Sequence, residues 1–261
     1  MKLTFLGTGT SFGVPVIGCH CPTCTSGDFR DRRSRHGALL TFPKARILVD
    51  APPELRLQLV KAGVDHVDAI WLTHLHADHV HGLDDLRVFR FRAERDMPFF
   101  APEGSDAELL RRFPYIFDEA IRPPPGSTIP RFVLEHYRPL EPVEIFGRPF
   151  LPLPVPHGPV TVHGFRVGPL GYITDGKELP PRTLEALRGV EVLVLNALWF
   201  GNPHPTHFNV EEAVEASREV GAERTYLTHL THEVRHQELE DRLPPGVEAA
   251  YDGLTVEIPR T

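Results

Sequence analysis

Four side chains that can bind metal ions lie within six positions of this sequence. His74, His76, Asp78 and His79 follow a short apolar run, Ala69–Thr73, which is predicted to be a buried strand. Because side chains alternate along an extended chain, His74 and His76 leave the strand end in the same direction. Asp78 and His79 begin the next predicted helix. Two imidazoles on one side and a carboxylate–imidazole pair on the other are the ligands that two adjacent metal ions need.

Three further candidate ligands lie far along the chain, each shortly past a segment predicted as a strand. They are His157, Asp175 and His229. A single such residue is more often an ordinary loop residue, but three of them in one chain favour a joint site. The sequence therefore predicts a centre for two metal ions with seven ligands: His74, His76, Asp78, His79, His157, Asp175 and His229.

The three cysteines of the chain, Cys19, Cys21 and Cys24, lie within six residues. An odd number in one tight cluster cannot build a disulfide framework, and the spacing favours thiolate metal ligands in a reducing compartment over free thiols in a loop. A closed structural zinc site needs four ligands. We expect the fourth to be His232, which comes three residues after His229.

The segments that must position these residues are many short β-strands and a few helices, in the order β-rich, helical, β-rich, helical. This order suits two sheets packed face to face with helices outside, an α+β fold of the four-layer αββα sandwich type. No Gly- or Ser-rich linker divides the chain, so we expect one domain over residues 1–261. Two local predictions are a helix over Asp78–Phe89 and a hairpin formed by Glu248–Tyr251 and Leu254–Ile258.

The charge balance excludes some partners. The chain has 28 Lys and Arg against 35 Asp and Glu, a net charge of −7. Proteins that wrap a polyanion usually carry a basic excess, so we expect no extensive nucleic-acid binding. No run approaches the roughly 18 apolar residues that span a bilayer, and the first residues lack the apolar region of a signal peptide. We expect a cytoplasmic protein without a membrane partner.

The metal motif also carries a resemblance. His74, His76, Asp78 and His79 match the His-x-His-x-Asp-His signature of the metallo-β-lactamase superfamily. The resemblance implies the αββα sandwich and an active site along one edge of the sheets. It assigns the ligands to two ions: His74, His76 and His157 to one, Asp78, His79 and His229 to the other, and Asp175 to both.

A narrower resemblance is carried by four segments: Gly7–Gly9, Gly13–Pro15, Gly18–Cys24 and Leu227–His232. On these segments the chain resembles, within that superfamily, the phosphoribosyl 1,2-cyclic phosphate phosphodiesterases of the carbon–phosphorus lyase pathway. The quinone-cofactor biosynthesis B protein shares the cysteine-containing opening. The resemblance implies a structural zinc held by Cys19, Cys21, Cys24 and His232, and a homodimer.

The same resemblance implies a general acid for the leaving alkoxide. The matching residue is His207 rather than His204, because His207 keeps the spacing to Asn209, the predicted N-cap of the next helix. Imidazole is suited to proton donation near neutral pH. The alternative for His207 is an exposed loop histidine.

Two divalent ions carry a charge of +4, and two carboxylates with a bridging hydroxide return −3, so the centre suits an anionic ester. Such a pair polarises a phosphoryl oxygen and makes hydroxide available as the nucleophile, and the donor set suits Zn, Mn or Fe. The candidate catalytic residues are His207 and Asp78. We expect hydrolysis of a small cyclic phosphodiester. The alternatives are tRNA processing of the ribonuclease Z type, which the four lysines and the net charge disfavour, and thioester hydrolysis.

Overall fold

The computed structural model describes residues 1–89 and 96–259, which form two seven-stranded sheets. The first sheet has the order β14-β1-β2-β3-β4-β5-β6. Its strands are β1 (Lys2–Gly7), β2 (Gly37–Phe42), β3 (Ala45–Val49), β4 (Ala69–Trp71), β5 (Met97–Pro102), β6 (Phe132–Tyr137) and β14 (Thr255–Glu257).

The second sheet has the order β13-β12-β11-β10-β9-β8-β7. Its strands are β7 (Val143–Glu144), β8 (Pro149–His157), β9 (Val160–Val167), β10 (Leu170–Tyr172), β11 (Val192–Asn196), β12 (Arg224–Thr228) and β13 (Val247–Ala249).

Helices cover the outer faces of both sheets. Apolar residues of α1 (Leu55–Lys61), α2 (Ala77–Val80), α3 (Asp106–Arg112) and α4 (Pro114–Phe117) pack on the first sheet. Those of α5 (Pro181–Leu187), α6 (Val210–Val220) and α7 (His236–Arg242) pack on the second. No helix of the described ranges is both long and apolar enough to cross a bilayer.

The inner faces of the sheets share one apolar core. Phe5 and Trp71 of the first sheet belong to the same buried cluster as Phe165 and Tyr172 of the second. The Trp71 ring stacks on Tyr137, with ring centroids 4.2 Å apart. Two sheets with one core between them and a helical layer on each side confirm the predicted α+β sandwich.

Strand direction decides where the polar residues meet. In the first sheet β3 and β4 run parallel. In the second sheet β10, β11 and β12 run parallel to one another. β8 has the same direction as β10, because both are antiparallel to β9. His74 follows β4, His157 ends β8, and Asp175 and His229 follow β10 and β12. All four therefore lie at the carboxyl ends of their strands, as the sequence predicts.

The predicted helix over Asp78–Phe89 is wrong, because α2 ends after one turn. The carbonyl oxygen of His79 accepts a hydrogen bond from the Ala51 N–H at 2.7 Å, and the Gly82 N–H donates to the carbonyl oxygen of Ala51 at 2.8 Å. These bonds replace the ones that would continue the helix. A 3-10 turn, Leu83–Leu86, follows.

The predicted terminal hairpin is also wrong, because its two strands belong to different sheets. β13 pairs parallel with β12, whereas β14 pairs antiparallel with β1. Between them Asp252 accepts hydrogen bonds from the backbone N–H and the hydroxyl of both Thr8 and Ser34, at 2.6–2.9 Å. These partners hold the turn where the chain crosses from one sheet to the other.

Candidate metal centre and active site

Three imidazoles form the first cluster at the strand ends. One nitrogen of each of His74, His76 and His157 lies within 4.8 Å of the others. His157 donates from Nδ1 to the carbonyl oxygen of Thr206 at 3.1 Å. This hydrogen bond leaves the lone pair of His157 on Nε2, where it can bind a cation.

Four buried side chains form the second cluster: Asp78, His79, Asp175 and His229. Asp78 Oδ2 lies 3.4 Å from His79 Nε2 and 4.0 Å from His229 Nε2. Their ligand atoms also fall within 4.8 Å of one another. This set of two carboxylates and two imidazoles can hold one divalent ion.

Asp175 lies between the two clusters. Its Oδ2 atom is 3.3 Å from His229 Nε2 and 3.5 Å from His79 Nε2 in the second cluster, and 3.9 Å from His74 Nε2 in the first. The structure thus groups the seven residues as the resemblance implies, with Asp175 in the position of a shared ligand.

The donor atoms in both clusters fit bound cations. The Nε2 atoms of His74, His79 and His229 are buried without a hydrogen-bond partner. An unsatisfied buried polar atom costs about 1–3 kcal/mol, and a cation bound to these lone pairs removes that cost. Imidazole nitrogen with carboxylate oxygen is a donor set for Zn, Mn or Fe.

The protonation states of Asp175, His229 and His74 agree with this fit. At His79, by contrast, burial is outweighed by the carboxylates of Asp175, Asp50 and Asp78, which raise its pKa well above the ordinary value. Burial opposes ionisation of Asp175, but the imidazoles of His229 and His79 hold its pKa well below its usual range. Burial lowers the pKa of His229 to about 4 and that of His74 well below its ordinary value, so both imidazoles are neutral near pH 7. Ionised carboxylate and neutral imidazole are the forms that bind metal.

The backbone is strained at the strand ends that aim these side chains. Asp50, Asp175 and His229 have φ values of 61°, 55° and 58°. Non-glycine residues rarely adopt this left-handed conformation, which costs on the order of 1–3 kcal/mol at each position. The fold therefore holds three residues around one site in an unfavourable backbone conformation.

Asp50 is a site residue that the sequence analysis missed. Its Oδ2 accepts from His79 Nδ1 at 2.6 Å and from the Thr73 hydroxyl at 2.8 Å, and its Oδ1 accepts from the Thr73 N–H. The carboxylate thereby turns His79 Nε2 toward the second cluster. Its position directly after β3 was the available signal, the same one that revealed the other ligands.

Asp50→Asn is therefore expected to weaken metal binding by the second cluster or activity by about 10–100-fold. The amide keeps the shape of the carboxylate but loses the charge that holds His79 Nδ1. Zinc titration followed by isothermal calorimetry measures the effect, with the exposed Asp241→Asn as the matched control. An Asp50→Asn protein with unchanged affinity and activity would show that Thr73 and packing alone orient His79.

A cavity of about 430 Å³ opens over both clusters. His207 lies in its wall, with Nε2 at 3.5 Å from Asp175 Oδ2 and without a hydrogen-bond partner. The predicted N-cap is confirmed, since Asn209 and Glu212 form a reciprocal capping box at the start of α6. The other wall residues include Thr10, Ser11, Phe12, Trp199 and His204.

The cysteine cluster lies near the end of β12. The Nδ1 atom of His232 is 3.3, 3.4 and 3.7 Å from the sulfurs of Cys19, Cys21 and Cys24. Tetrahedral zinc, with Zn–S about 2.3 Å and Zn–N about 2.0 Å, requires S–N separations of about 3.5 Å. The four predicted residues are thus spaced as zinc ligands.

The thiols of this cluster also favour a bound cation. The Cys24 N–H, and then His232, lower the pKa of Cys21 to about 6. Burial, and then the neighbouring thiols, raise the pKa of Cys24 to about 11. An ionised thiolate thus disfavours ionisation of the neighbouring thiol, and a bound divalent cation would offset this repulsion between the two charges.

Comparison with known proteins agrees with the fold and the metal motif. Residues 45–230 match the family described as the beta-lactamase superfamily domain. The crystal structure of a new diphosphatase from the PhnP family superposes with a TM-score of 0.88 at 37% identity, over 99% of this chain and 98% of that one. A ribonuclease Z from Methanopyrus kandleri is 27% identical, over 87% of this chain and 93% of its own length.

A further relative is longer. The octanoyltransferase of Porphyromonas gingivalis is 36% identical over 256 residues, which are 97% of this chain. The match covers 51% of that protein, so this chain spans about half of its length.

The chain belongs to the beta-lactamase superfamily. Within it, the chain is similar over almost its whole length to the diphosphatase of the PhnP family.

Proposed function

We propose that this protein hydrolyses a small cyclic phosphodiester of the phosphoribosyl cyclic phosphate kind. The observation that supports this most directly is the position of Asp175. One carboxylate oxygen contacts both imidazole clusters and lies 3.5 Å from His207 Nε2. Two candidate cation sites and an imidazole thus converge on one cavity, an arrangement that suits hydrolysis of an anionic ester.

In the proposed site His74, His76 and His157 would hold one divalent ion, Asp78, His79 and His229 would hold the other, and Asp175 would be shared between them. When bound, two such ions polarise a phosphoryl oxygen and lower the pKa of water at the site. The carboxylates of Asp78 and Asp175 balance part of the positive charge, which keeps the centre attractive to a phosphodiester anion. Asp50 holds His79 in the orientation that the second ion needs.

His207 is the proposed general acid. His207 lines the cavity, and its buried Nε2 atom lies 3.5 Å from Asp175 Oδ2. An alkoxide that leaves phosphorus is a strong base, so proton delivery from this nitrogen lowers the barrier to its departure.

The cysteine cluster is a proposed structural zinc site. It joins the loop that carries Cys19, Cys21 and Cys24 to His232, only three residues from His229 in the second cluster. The same loop begins beside Thr10, Ser11 and Phe12 in the cavity wall. A zinc ion here would hold that wall against the strand end that carries His229.

We expect Cys21→Ser to lose one equivalent of zinc and to lower the melting temperature before it affects chemistry, because binding of structural zinc is part of the folding free energy. Elemental analysis and thermal unfolding measure the two effects. His20→Ala is the matched control, since His20 lies in the same motif but outside the cluster. Unchanged zinc content and stability in Cys21→Ser would rule out this site.

The substrate class is tested by assaying four substrates in parallel. The purified enzyme is assayed with phosphoribosyl 1,2-cyclic phosphate, a 2′,3′-cyclic nucleotide, an octanoyl thioester and a tRNA precursor. We expect turnover of the cyclic diesters to exceed the others. Faster cleavage of the tRNA precursor would favour the ribonuclease Z alternative. Faster thioester cleavage would favour the activity named for the Porphyromonas gingivalis relative.

A further inference from the structure

Thr206 contacts three histidines of the site at once. Its hydroxyl lies 2.9 Å from His207 Nδ1 and 3.2 Å from His204 Nδ1, and its backbone N–H donates to His204 Nδ1 at 3.3 Å. Its carbonyl oxygen accepts from His157 Nδ1. The residue therefore lies at the junction between the first cluster and the proposed general acid.

These contacts determine which nitrogen of each ring carries the proton. A backbone N–H can only donate, so His204 Nδ1 accepts and is unprotonated. The Thr206 hydroxyl can then donate to His204, which leaves its oxygen lone pairs free to accept from His207. His207 Nδ1 also lies 3.3 Å from the accepting His204 Nδ1, and two facing ring nitrogens need one donor. A proton on His207 Nδ1 satisfies this geometry, since it can be donated to the Thr206 oxygen at 2.9 Å.

The surroundings of His204 support the accepting form. Burial, and then the proximity of His207 and Lys177, lower the pKa of His204. Its neutral ring keeps a lone pair on Nδ1. The hydrogen bonds thus run in one direction, from His207 Nδ1 to the Thr206 oxygen and from the Thr206 hydroxyl to His204.

We infer that Thr206, supported by His204, is a positioning residue that holds His207 with Nδ1–H turned inward and Nε2 turned to the cavity. Nε2 is then the atom that passes a proton to the leaving alkoxide, as an N–H bond breaks and an O–H bond forms. This inference rests on the proposed function, because it assigns a helper to the proposed general acid.

The test compares Thr206→Val with Thr206→Ser. Valine keeps the shape, the N–H and the carbonyl group that binds His157, and removes only the hydroxyl. We expect Thr206→Val to slow hydrolysis of a 2′,3′-cyclic nucleotide, which has an alkoxide leaving group, by about 10–100-fold, since misplaced catalytic groups can cost about that much. Hydrolysis of bis(4-nitrophenyl) phosphate, whose leaving group needs no acid, should change far less. Thr206→Ser should restore the loss.

Two further measurements separate positioning from a structural effect. Metal content should be unchanged in both variants, and a crystal structure of Thr206→Val should show the His207 ring turned away from its contact with Asp175. In the double variant Thr206→Val/His207→Ala we expect no loss beyond that of His207→Ala alone, because both changes remove the same function.

The outcomes distinguish this inference from the proposal on which it rests. If His207→Ala is selective for the alkoxide leaving group and Thr206→Val is not, Thr206 does not position His207. Equal losses of Thr206→Val on both substrates, or additive losses in the double variant, also overturn the inference. If His207→Ala itself shows no selectivity, the assignment of the general acid fails first.

Discussion

His207→Ala is expected to slow hydrolysis of a cyclic ribose phosphate by about 10²–10⁴-fold, the usual contribution of a general acid. The departing alkoxide needs a proton, and His207 lines the cavity with its Nε2 atom 3.5 Å from Asp175 Oδ2. A nitrophenolate leaves without one, so bis(4-nitrophenyl) phosphate hydrolysis should fall far less. Steady-state rates on the two substrates measure this selectivity.

Two controls accompany the substitution. Metal content should remain that of the wild-type protein, because the two proposed ion sites are complete without His207. His66→Ala removes an exposed imidazole from another part of the molecule and should leave both rates unchanged. Full activity of His207→Ala on both substrates would show that His207 is an ordinary loop histidine. Equal losses on both substrates would indicate that His207 positions the substrate.

Asp175→Asn is expected to reduce turnover by roughly 10³-fold or more, equivalent to about 4 kcal/mol, and to lower the metal content of the active site. The amide keeps the size of the side chain and tolerates the left-handed backbone at this position. It removes the negative charge that Oδ2 brings within 3.9 Å of His74, His79 and His229. Elemental analysis and rates at saturating metal measure both effects.

The exposed Asp241→Asn controls for the loss of one aspartate from the chain, and we expect it to retain full metal content. Excess metal should only partly rescue Asp175→Asn, because the shared ligand is missing whatever the metal concentration. Wild-type turnover and stoichiometry in this variant would mean that the two ions, if bound, do not share Asp175.

The clustering of the candidate metal ligands was predictable because they follow strands. A polar side chain directly after an apolar strand has few places to point, and parallel strands bring such positions to one edge. Asp50 met the same condition, but it belongs to none of the segments that carry the metal motif or the resemblance. Its role depends on contacts with Thr73 and His79, which no spacing reveals.

Other features depend on partners that are distant in the chain. The turn around Asp252 has the composition of a hairpin, yet contacts with Thr8 and Ser34 send its two strands to different sheets. The single turn of α2 is likewise set by Ala51. The sequence did not point to Thr206, because a threonine before a helix is common. Its proposed role depends on its contacts with three imidazoles, which only the structure shows.

The pairing of β1 with β14 has a consequence for larger proteins built on this unit. The Met1 amino group donates to the carbonyl oxygen of Ile258, so both ends of the described chain meet at one corner of the first sheet. β1 runs from that corner toward the metal edge, as β3 does. Sequence fused to either end would therefore emerge at the side opposite the cavity.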